Sequence, residues 1–338
     1  RASDLRIPQS SIRKQPPLVL LMLHFFVLLR PSESRLGLLV LYMNFDPDDG
    51  TYPFRDRFYL DPGHVSALLY SQLAMFGNYT MEELSNFRQW ESPTPGHPEI
   101  DKKRGVENTS GPLGLGHAFG AGSAIAERFL ATRFGEHIAN KTYIYISDGG
   151  VQEEISQGVG RIAGYLGLNN LIMFYDANDV QLSTMVNEVM TENTAQKYEA
   201  WNWNVVTIDG HNHDEIRAAL DTANAETERP TLIIGKTIMG KGAKTENNDS
   251  WEGQVDTHGQ PLSKSGADFA KTIENLGGNP ENPFVIFDDV AAYYEEIKDA
   301  KRQLIAEQKA AFAEWESTNS ALATKLNGFL NDSPKVDW

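Results

Sequence analysis

Two polar segments stand at the ends of what the sequence predicts to be neighbouring strands. Residues 147–150 (SDGG) follow the β-rich run TYIYI, and residues 175–180 (YDANDV) end the next apolar run. Asp148 can supply a carboxylate oxygen, Asn178 an amide oxygen and Val180 a main-chain carbonyl oxygen. Because Mg²⁺ and Ca²⁺ prefer such hard oxygen ligands, the two segments predict a divalent cation site between adjacent strand ends.

The glycines beside Asp148 predict that a diphosphate binds next to the cation. Gly149 and Gly150 would let a main-chain N–H approach a phosphate closely, and a helix starting near Val151 would direct its positive end toward that anion. Taken alone, an Asp-Gly pair after a strand forms an Asx turn or a helix N-cap far more often. The YDANDV segment at the next strand end favours the cation and diphosphate site.

Strands and helices alternate regularly from Lys141 onward. The runs TYIYISD, NLIMFYD, NVVTIDG and PTLIIGKT predict strands. The segment after the first of them places four apolar side chains on one helical stripe, namely Ile155, Val159, Ile162 and Leu166. This alternation predicts an α/β fold, a doubly wound and mainly parallel sheet with helices on both faces. Ligands of such sheets bind at the carboxyl ends of the strands.

The composition limits the classes of partner and the compartment. With 46 acidic and 30 basic residues, the formal net charge of −16 argues against nucleic acid as a partner, because the average field repels a polyanion. The absence of cysteine excludes disulfides and thiolate chemistry and fits a reducing compartment, so we expect a cytoplasmic protein. The apolar run at residues 17–29 is shorter than the ~20 residues that span a bilayer, and we expect no membrane partner.

Further motifs flank the two polar segments in a consistent order. They are LDPGHVSALLYS, FRQWESPTPGHPE, ENTSGPLGLGHAFGAGSAIAERF and THGQPLS, and they span about residues 44–262. Together with residues 147–184, they resemble the transketolase family, and in particular its N-terminal thiamine diphosphate-binding domain. The family's cofactor motif begins Gly-Asp-Gly and ends in an asparagine, whereas here Ser147 replaces the first glycine. The resemblance implies the thiamine diphosphate-binding fold and thiamine diphosphate with Mg²⁺ as cofactors.

The resemblance also assigns cofactor contacts. It implies that Asp148, Asn178 and the carbonyl of Val180 hold the metal. Gly149 would contact the diphosphate, and Leu113 and Gly114, from the GPLG segment, would line the cofactor. Glu153 is also predicted among the cofactor-binding residues, and it matches a glutamate that is buried in the family's subunit contact. We expect a homo- or hetero-oligomer.

Three histidines match family histidines that face the diphosphate or the reacting carbonyl. They are His64, His97 and His258. The resemblance implies a catalytic role for each of them, with His64 and His258 also contacting the cofactor. Imidazole suits this chemistry because its pKa near neutrality lets it both accept and donate protons. The residues by themselves leave a simpler alternative, since a histidine after Pro-Gly can cap a turn.

The chain divides into three predicted parts. Residues 1–43 depart from the family pattern and lack its Lys-Ser-Gly-His-Pro-Gly type of segment, which we interpret as an altered reading of the gene. Residues 44–262 form the predicted thiamine diphosphate and Mg²⁺ domain. Residues 263–338 read as a helical extension that leads toward a pyrimidine-binding domain absent from this sequence.

The predicted function is that of half an enzyme. The resemblance implies transfer of a two-carbon ketol unit from a ketose phosphate to an aldose phosphate in the pentose phosphate pathway, once a pyrimidine-binding half completes the site. We expect little turnover by this chain alone. Two alternatives remain: a component of another thiamine diphosphate enzyme, of deoxyxylulose-phosphate synthase or 2-oxoacid dehydrogenase type, and a non-catalytic cofactor-binding or assembly module.

Overall fold

A five-stranded sheet forms the centre of the computed structural model, which describes residues 40–258 and 262–331. All neighbouring strands pair in parallel, in the order β1-β2-β3-β5-β4. The strands are β1 (Arg57–Leu60), β2 (Thr142–Ser147), β3 (Leu171–Ala177), β4 (Asn204–Asp209) and β5 (Thr231–Lys236). The predicted parallel α/β sheet is therefore confirmed. β2 to β5 agree closely with the predicted strands, whereas β1 is absent from the prediction.

Helices cover both faces of the sheet. They are α1 (Ser66–Met75), α2 (Met81–Ser85), α3 (Leu115–Phe134), α4 (Glu154–Leu166), α5 (Thr194–Ala200) and α6 (His213–Ala225). Successive side chains of a strand point to opposite faces, so Tyr143 and Tyr145 of β2 pack with α1 and α6, whereas Ile144 and Ile146 pack with α3, α4 and α5. The two apolar cores lie on either side of β2, as a doubly wound sheet requires.

Helix α4 approaches its neighbours through small residues. Its buried positions are Ser156, Gly160, Ala163 and Gly164. Nε1 of Trp203 donates a 2.8 Å hydrogen bond to the carbonyl of Gly160, which holds the start of β4 against this face. The predicted helix is confirmed, but most of its apolar stripe points outward: Ile155, Ile162 and Leu166 are 43%, 53% and 49% exposed.

The helices at the end of the chain pack back onto the sheet domain. They are α7 (Leu262–Ser265), α8 (Phe269–Asn275), α9 (Asp288–Thr318) and α10 (Ser320–Asn331). Tyr294 of α9 joins the apolar cluster of α1, and its hydroxyl donates to Oε1 of Gln72 over 2.9 Å. The buried Lys301 of α9 donates hydrogen bonds to the carbonyls of Leu41 and Met43. Helix α9 thereby fastens the first described residues to the domain.

The predictions for the N-terminal segment fall mostly outside the structure. Of residues 1–43, only 40–43 belong to the described part of the chain. Among the helices described over 40–258 and 262–331, none has the length and apolar character needed to cross a membrane.

The close approach of α4 to the α5–β4 connection predicts opposite effects for two substitutions in the same helix. A Cβ at Gly164 would overlap the main-chain carbonyl of Trp201, whereas a Cβ at Gly158 would meet nothing within 4 Å. We expect Gly164→Ala to lower the free energy of unfolding by about 2 kcal/mol through overpacking. Gly158→Ala should raise it by roughly 0.5–1 kcal/mol, because alanine favours the helix. Urea denaturation measures both, and equal midpoints for the two variants would show that α4 is not packed this closely.

Candidate functional site

The carboxylate of Asp148 is buried at the carboxyl end of β2, where it connects β2 to β3. Oδ1 accepts a hydrogen bond from the hydroxyl of Tyr175 over 2.6 Å. Oδ2 accepts the main-chain N–H groups of Asn178 and Asp179 at 3.1 and 3.2 Å. Asp148 is only 2% exposed, so these hydrogen bonds hold a nearly dry carboxylate between the two strand ends.

Burial raises the pKa of Asp148 to about 6, since charging a desolvated carboxyl costs free energy. Hydrogen bonds from Tyr175 and Asn178 act in the opposite direction, and the nearby carboxylates of Asp176 and Asp179 raise the pKa further. A divalent cation beside the group would favour its ionised form by direct attraction.

The loop after β3 brings the other two predicted metal ligands to the same edge. Oδ1 of Asn178 accepts the main-chain N–H of Val180 over 3.0 Å. Asp179 between them adopts a left-handed conformation with φ +64°, which turns the chain back sharply. The amide of Asn178 and the main chain of Val180 therefore lie beside the Asp148 carboxylate.

This donor set fits Mg²⁺ or Ca²⁺. Asp148, Asn178 and Val180 offer carboxylate, amide and carbonyl oxygens, the ligand types both ions prefer. Over the described ranges, no group of three or more His, Cys, Asp or Glu side chains could hold a metal ion. A set with a single carboxylate leaves room for ligands from outside the chain, such as phosphate oxygens and water.

The predicted cofactor-lining glycines lie in two loops that touch. A Cβ at Gly149 would come within 2.8 Å of Cδ1 of Leu113. Gly114 has φ +85° and begins α3, and a Cβ there would come within 3.0 Å of Cβ of Glu153. The segment before α3 and the turn after β2 thus pack directly against each other, with Glu153 exposed at their outer side.

The three predicted histidines gather at the same edge. The rings of His64 and His258 lie 5.0 Å apart between centroids, and Cδ2 of His97 lies 2.8 Å from where a Cβ on Gly63 would stand. Burial, then the neighbouring His258, His97 and Arg88, lower the pKa of His64 to about 4. Burial also lowers the pKa of His258. The buried imidazoles of His64 and His258 therefore favour the neutral form.

The main chain of Val180 joins the histidines to the predicted metal ligands. It forms a hydrogen bond with the imidazole of His258. Nδ1 of His258 is buried and makes no hydrogen bond with any residue that the structure describes. A buried polar nitrogen needs a partner, and this one is suited to a polar ligand. The structure thus brings together every residue predicted for the site, and their individual roles stay predictions.

Tyr175 is the site residue that the sequence did not predict. It stands inside the YDANDV segment, and its hydroxyl is bonded to Asp148. Asp176, for which no role is predicted, accepts hydrogen bonds from the hydroxyls of Tyr145 and Thr237. The sequence does contain a signal for Tyr175: side chains alternate along β3, so Tyr175 and Asp176 point to opposite faces of the sheet at its carboxyl end.

Comparison with known proteins identifies the family. The family described as transketolase, thiamine diphosphate binding domain, matches residues 37–333. The transketolase of Halalkalibacterium halodurans is 40% identical over 304 residues, covering 88% of this chain and 44% of that protein. The transketolase of Bacillus subtilis is 36% identical over 304 residues, with the same coverage of 88% and 44%.

Solved structures agree with the sequence relatives. Transketolase from Leishmania mexicana superimposes with a TM-score of 0.82 at 30% identity, covering 92% of this chain and 48% of that chain. The Campylobacter jejuni transketolase gives 0.79 at 31% identity, covering 95% and 50%. The fold and the matched sequence define a thiamine diphosphate-binding α/β domain. The chain belongs to the transketolase family, where it corresponds to the N-terminal, thiamine diphosphate-binding half, and it spans about half the length of these relatives.

The lowered pKa of His64 predicts a specific pH dependence of stability. Between the unfolded pKa of 6.5 and the folded value of about 4, the unfolded state binds the proton more readily, so acidification through this range destabilises the fold. The raised pKa of Asp148 acts in the opposite direction and is common to wild type and variant. We expect His64→Gln to reduce the loss of unfolding free energy between pH 7 and pH 4 by about 2 kcal/mol.

Urea denaturation across this pH range measures the effect. His97→Gln is the control, because it removes an exposed histidine of the same cluster. It should change the pH dependence of the unfolding free energy less than His64→Gln does. Parallel pH profiles for wild type and His64→Gln would show that His64 does not titrate as its burial requires.

Proposed function

We propose that this chain is the diphosphate-binding half of a transketolase, which transfers a two-carbon ketol unit from a ketose phosphate to an aldose phosphate. The observation that carries the proposal is the buried Asp148 carboxylate, held next to Gly149 and beside Asn178 and Val180 of the neighbouring strand end. Residues 44–262 would hold the cofactor, and residues 263–338 would lead toward the pyrimidine-binding half that completes the site.

The proposed metal ion is Mg²⁺ or Ca²⁺, bound by Asp148, Asn178 and the carbonyl of Val180. Leu113, Gly114 and Gly149 would line the diphosphate, whose charge the metal and the adjacent helix N-termini offset. When bound, thiamine diphosphate supplies the electron sink that makes carbon–carbon bond cleavage possible.

The proposed task of the histidines is to bind the sugar and move its protons. Burial lowers the pKa values of His64 and His258, so both imidazoles favour the neutral form, in which one ring nitrogen has a free lone pair to accept a proton. A neutral imidazole can also donate its N–H to a sugar oxygen. His97 is exposed beside them, where it is accessible to the end of a substrate.

The outer face of α4 is the proposed contact with a partner. It is defined by Ile155, Ile162, Tyr165 and Leu166, all at least 43% exposed, with Tyr165 at 88%. A contiguous exposed apolar surface of this kind marks an interaction site. Glu153, exposed at the start of this face, would become buried by the partner. We propose that a second copy of this chain or the pyrimidine-binding half covers this face, in a cytoplasmic enzyme of the pentose phosphate pathway.

Cofactor titration tests the proposed site. Thiamine diphosphate with Mg²⁺, at about 100 times its Kd, should raise the free energy of unfolding by ~2.7 kcal/mol, and thiamine diphosphate without metal should raise it less. Asp148→Asn keeps the side-chain shape and removes the charge, so the variant should fold and show little stabilisation. Addition of a transketolase pyrimidine-binding half to the wild-type chain should then give ketol transfer from a ketose phosphate.

The control variant is Asp214→Asn, which removes one negative charge at an exposed position in the first turn of α6, away from the site. Its stabilisation by the cofactor should equal that of wild type. No stabilisation of the wild-type chain would refute the proposed cofactor site. Equal stabilisation of wild type and Asp148→Asn would refute the metal assignment alone.

Light scattering tests the proposed contact face. Wild type, alone or mixed with the pyrimidine-binding half, should form a complex larger than the 37.7 kDa chain. Ile162→Glu places a charge in the centre of the α4 face and should weaken that complex at least tenfold. Leu304→Glu, also at an exposed apolar position but on α9, should not. Identical masses for wild type and both variants would show that the α4 face is not an interface.

A further inference from the structure

A second buried acidic residue, Asp61, lies at the carboxyl end of β1, on the other side of β2 from β3. Its main-chain N–H donates to the carbonyl of Tyr145 over 3.0 Å and so continues the pairing of β1 with β2. Its side chain is 0% exposed. Asp61 therefore occupies the same edge of the sheet as Asp148, but it belongs to none of the metal, cofactor or histidine positions described above.

Asp61 holds the segment before α3 at one point and the first turn of α3 at another. The hydroxyl of Ser110 donates to the main-chain carbonyl of Asp61 over 2.8 Å. The main-chain N–H of Gly116 donates to Oδ1 of Asp61, also over 2.8 Å. Leu113 and Gly114 lie between these two anchor points, so the position of Asp61 fixes both ends of the segment that carries them.

The imidazole of His117 completes a buried pair with this carboxylate. His117 is 0% exposed, and its Nδ1 lies 3.3 Å from Oδ1 of Asp61. Neither ring nitrogen makes a well-directed hydrogen bond with a residue in the described part of the chain, and neither does Oδ2 of Asp61. Buried ionisable groups are costly unless they are paired, so the two side chains depend on each other.

The pair also supports the turn after β2. A Cβ at Gly150 would overlap Oδ2 of Asp61 and would come within 3.4 Å of Cε1 of His117. The main chain of Gly150 consequently rests directly on the pair. A carboxylate that served only to cap α3 would need the Gly116 contact alone, whereas here its second oxygen packs against a turn from a different strand.

We propose that Asp61 and His117 are positioning residues that fix the Leu113–Gly114 segment relative to the Gly149–Gly150 turn and thereby set the affinity for thiamine diphosphate. The inference rests on the proposed cofactor site. Protein groups on two separate loops bind a shared ligand tightly only when both loops are held in place before the ligand arrives. The Asp61–His117 pair is a buried polar contact that the two loops share.

Calorimetric titration of the full chain with thiamine diphosphate at saturating MgCl₂ tests the affinity. Asp61→Asn keeps the shape of the side chain and removes its charge, and His117→Gln keeps a polar group of similar reach. Each should raise the Kd at least tenfold. If the two residues act as a pair, the Kd of the double variant should be at most about three times the higher of the two single-variant Kd values. Asp214→Asn is the matched control and should keep the wild-type Kd.

Hydrogen exchange of the cofactor-free chain supplies a readout that does not depend on cofactor binding. Asp61→Asn and His117→Gln should speed exchange in peptides covering residues 111–118 and 148–153, and leave β4 at wild-type rates. If Asp61→Asn fails to fold, the Kd and exchange of His117→Gln decide the question.

The outcomes separate this inference from the proposed function. Wild-type affinity in both single variants would overturn the inference while leaving the cofactor site intact. Faster exchange throughout the chain, including β4, would also overturn it, because it would reveal a general loss of stability. If the wild-type chain binds no thiamine diphosphate, the proposed function and the claim about affinity both fail, and the exchange rates alone decide whether the pair fixes the two loops.

Discussion

The structure depends on one buried carboxylate, that of Asp148, at the junction of β2 and β3. Three hydrogen bonds hold it there, one from a tyrosine hydroxyl and two from main-chain N–H groups. They are insufficient to offset its desolvation, and the pKa of the group stays at about 6. A desolvated carboxyl of this kind favours a cation over a neutral ligand. The proposed metal ion would offset the cost of its charge, and the diphosphate would then bind beside the same strand ends.

The elements around this carboxylate are packed through small residues rather than large ones. Gly114, Gly149 and Gly150 allow two loops from different strands to touch, and Gly160 and Gly164 bring α4 against Trp203 and Trp201. Close main-chain packing suits a site whose ligand is recognised by N–H groups, since these groups can be placed accurately only where the backbone itself is confined. It also explains why the large apolar residues of α4 are left on its outer face.

Much of this arrangement could be predicted from the sequence, and the failures have physical causes. β2 to β5 and the helices between them were predictable because their apolar periodicity is local. β1 has only four residues and no alternation that distinguishes it from a loop. The outward direction of Ile155 and Ile162 could not be foreseen, because periodicity identifies an apolar face without identifying what covers it. No role could be predicted for His117, nor its pairing with Asp61, because that pairing requires the three-dimensional contact of β1 with α3.

The packing of α9 against α1 constrains how the chain can fold during its synthesis. Tyr70 and Phe76 of this cluster are synthesised early. Val290 and Tyr294, which complete the cluster, are synthesised more than two hundred residues later. The nitrogen of Lys301 that binds the carbonyls of Leu41 and Met43 follows later still. A nascent chain whose sheet is already complete at β5 therefore carries an uncovered aromatic surface until α9 leaves the ribosome, and during that interval it is open to aggregation or to capture by a chaperone.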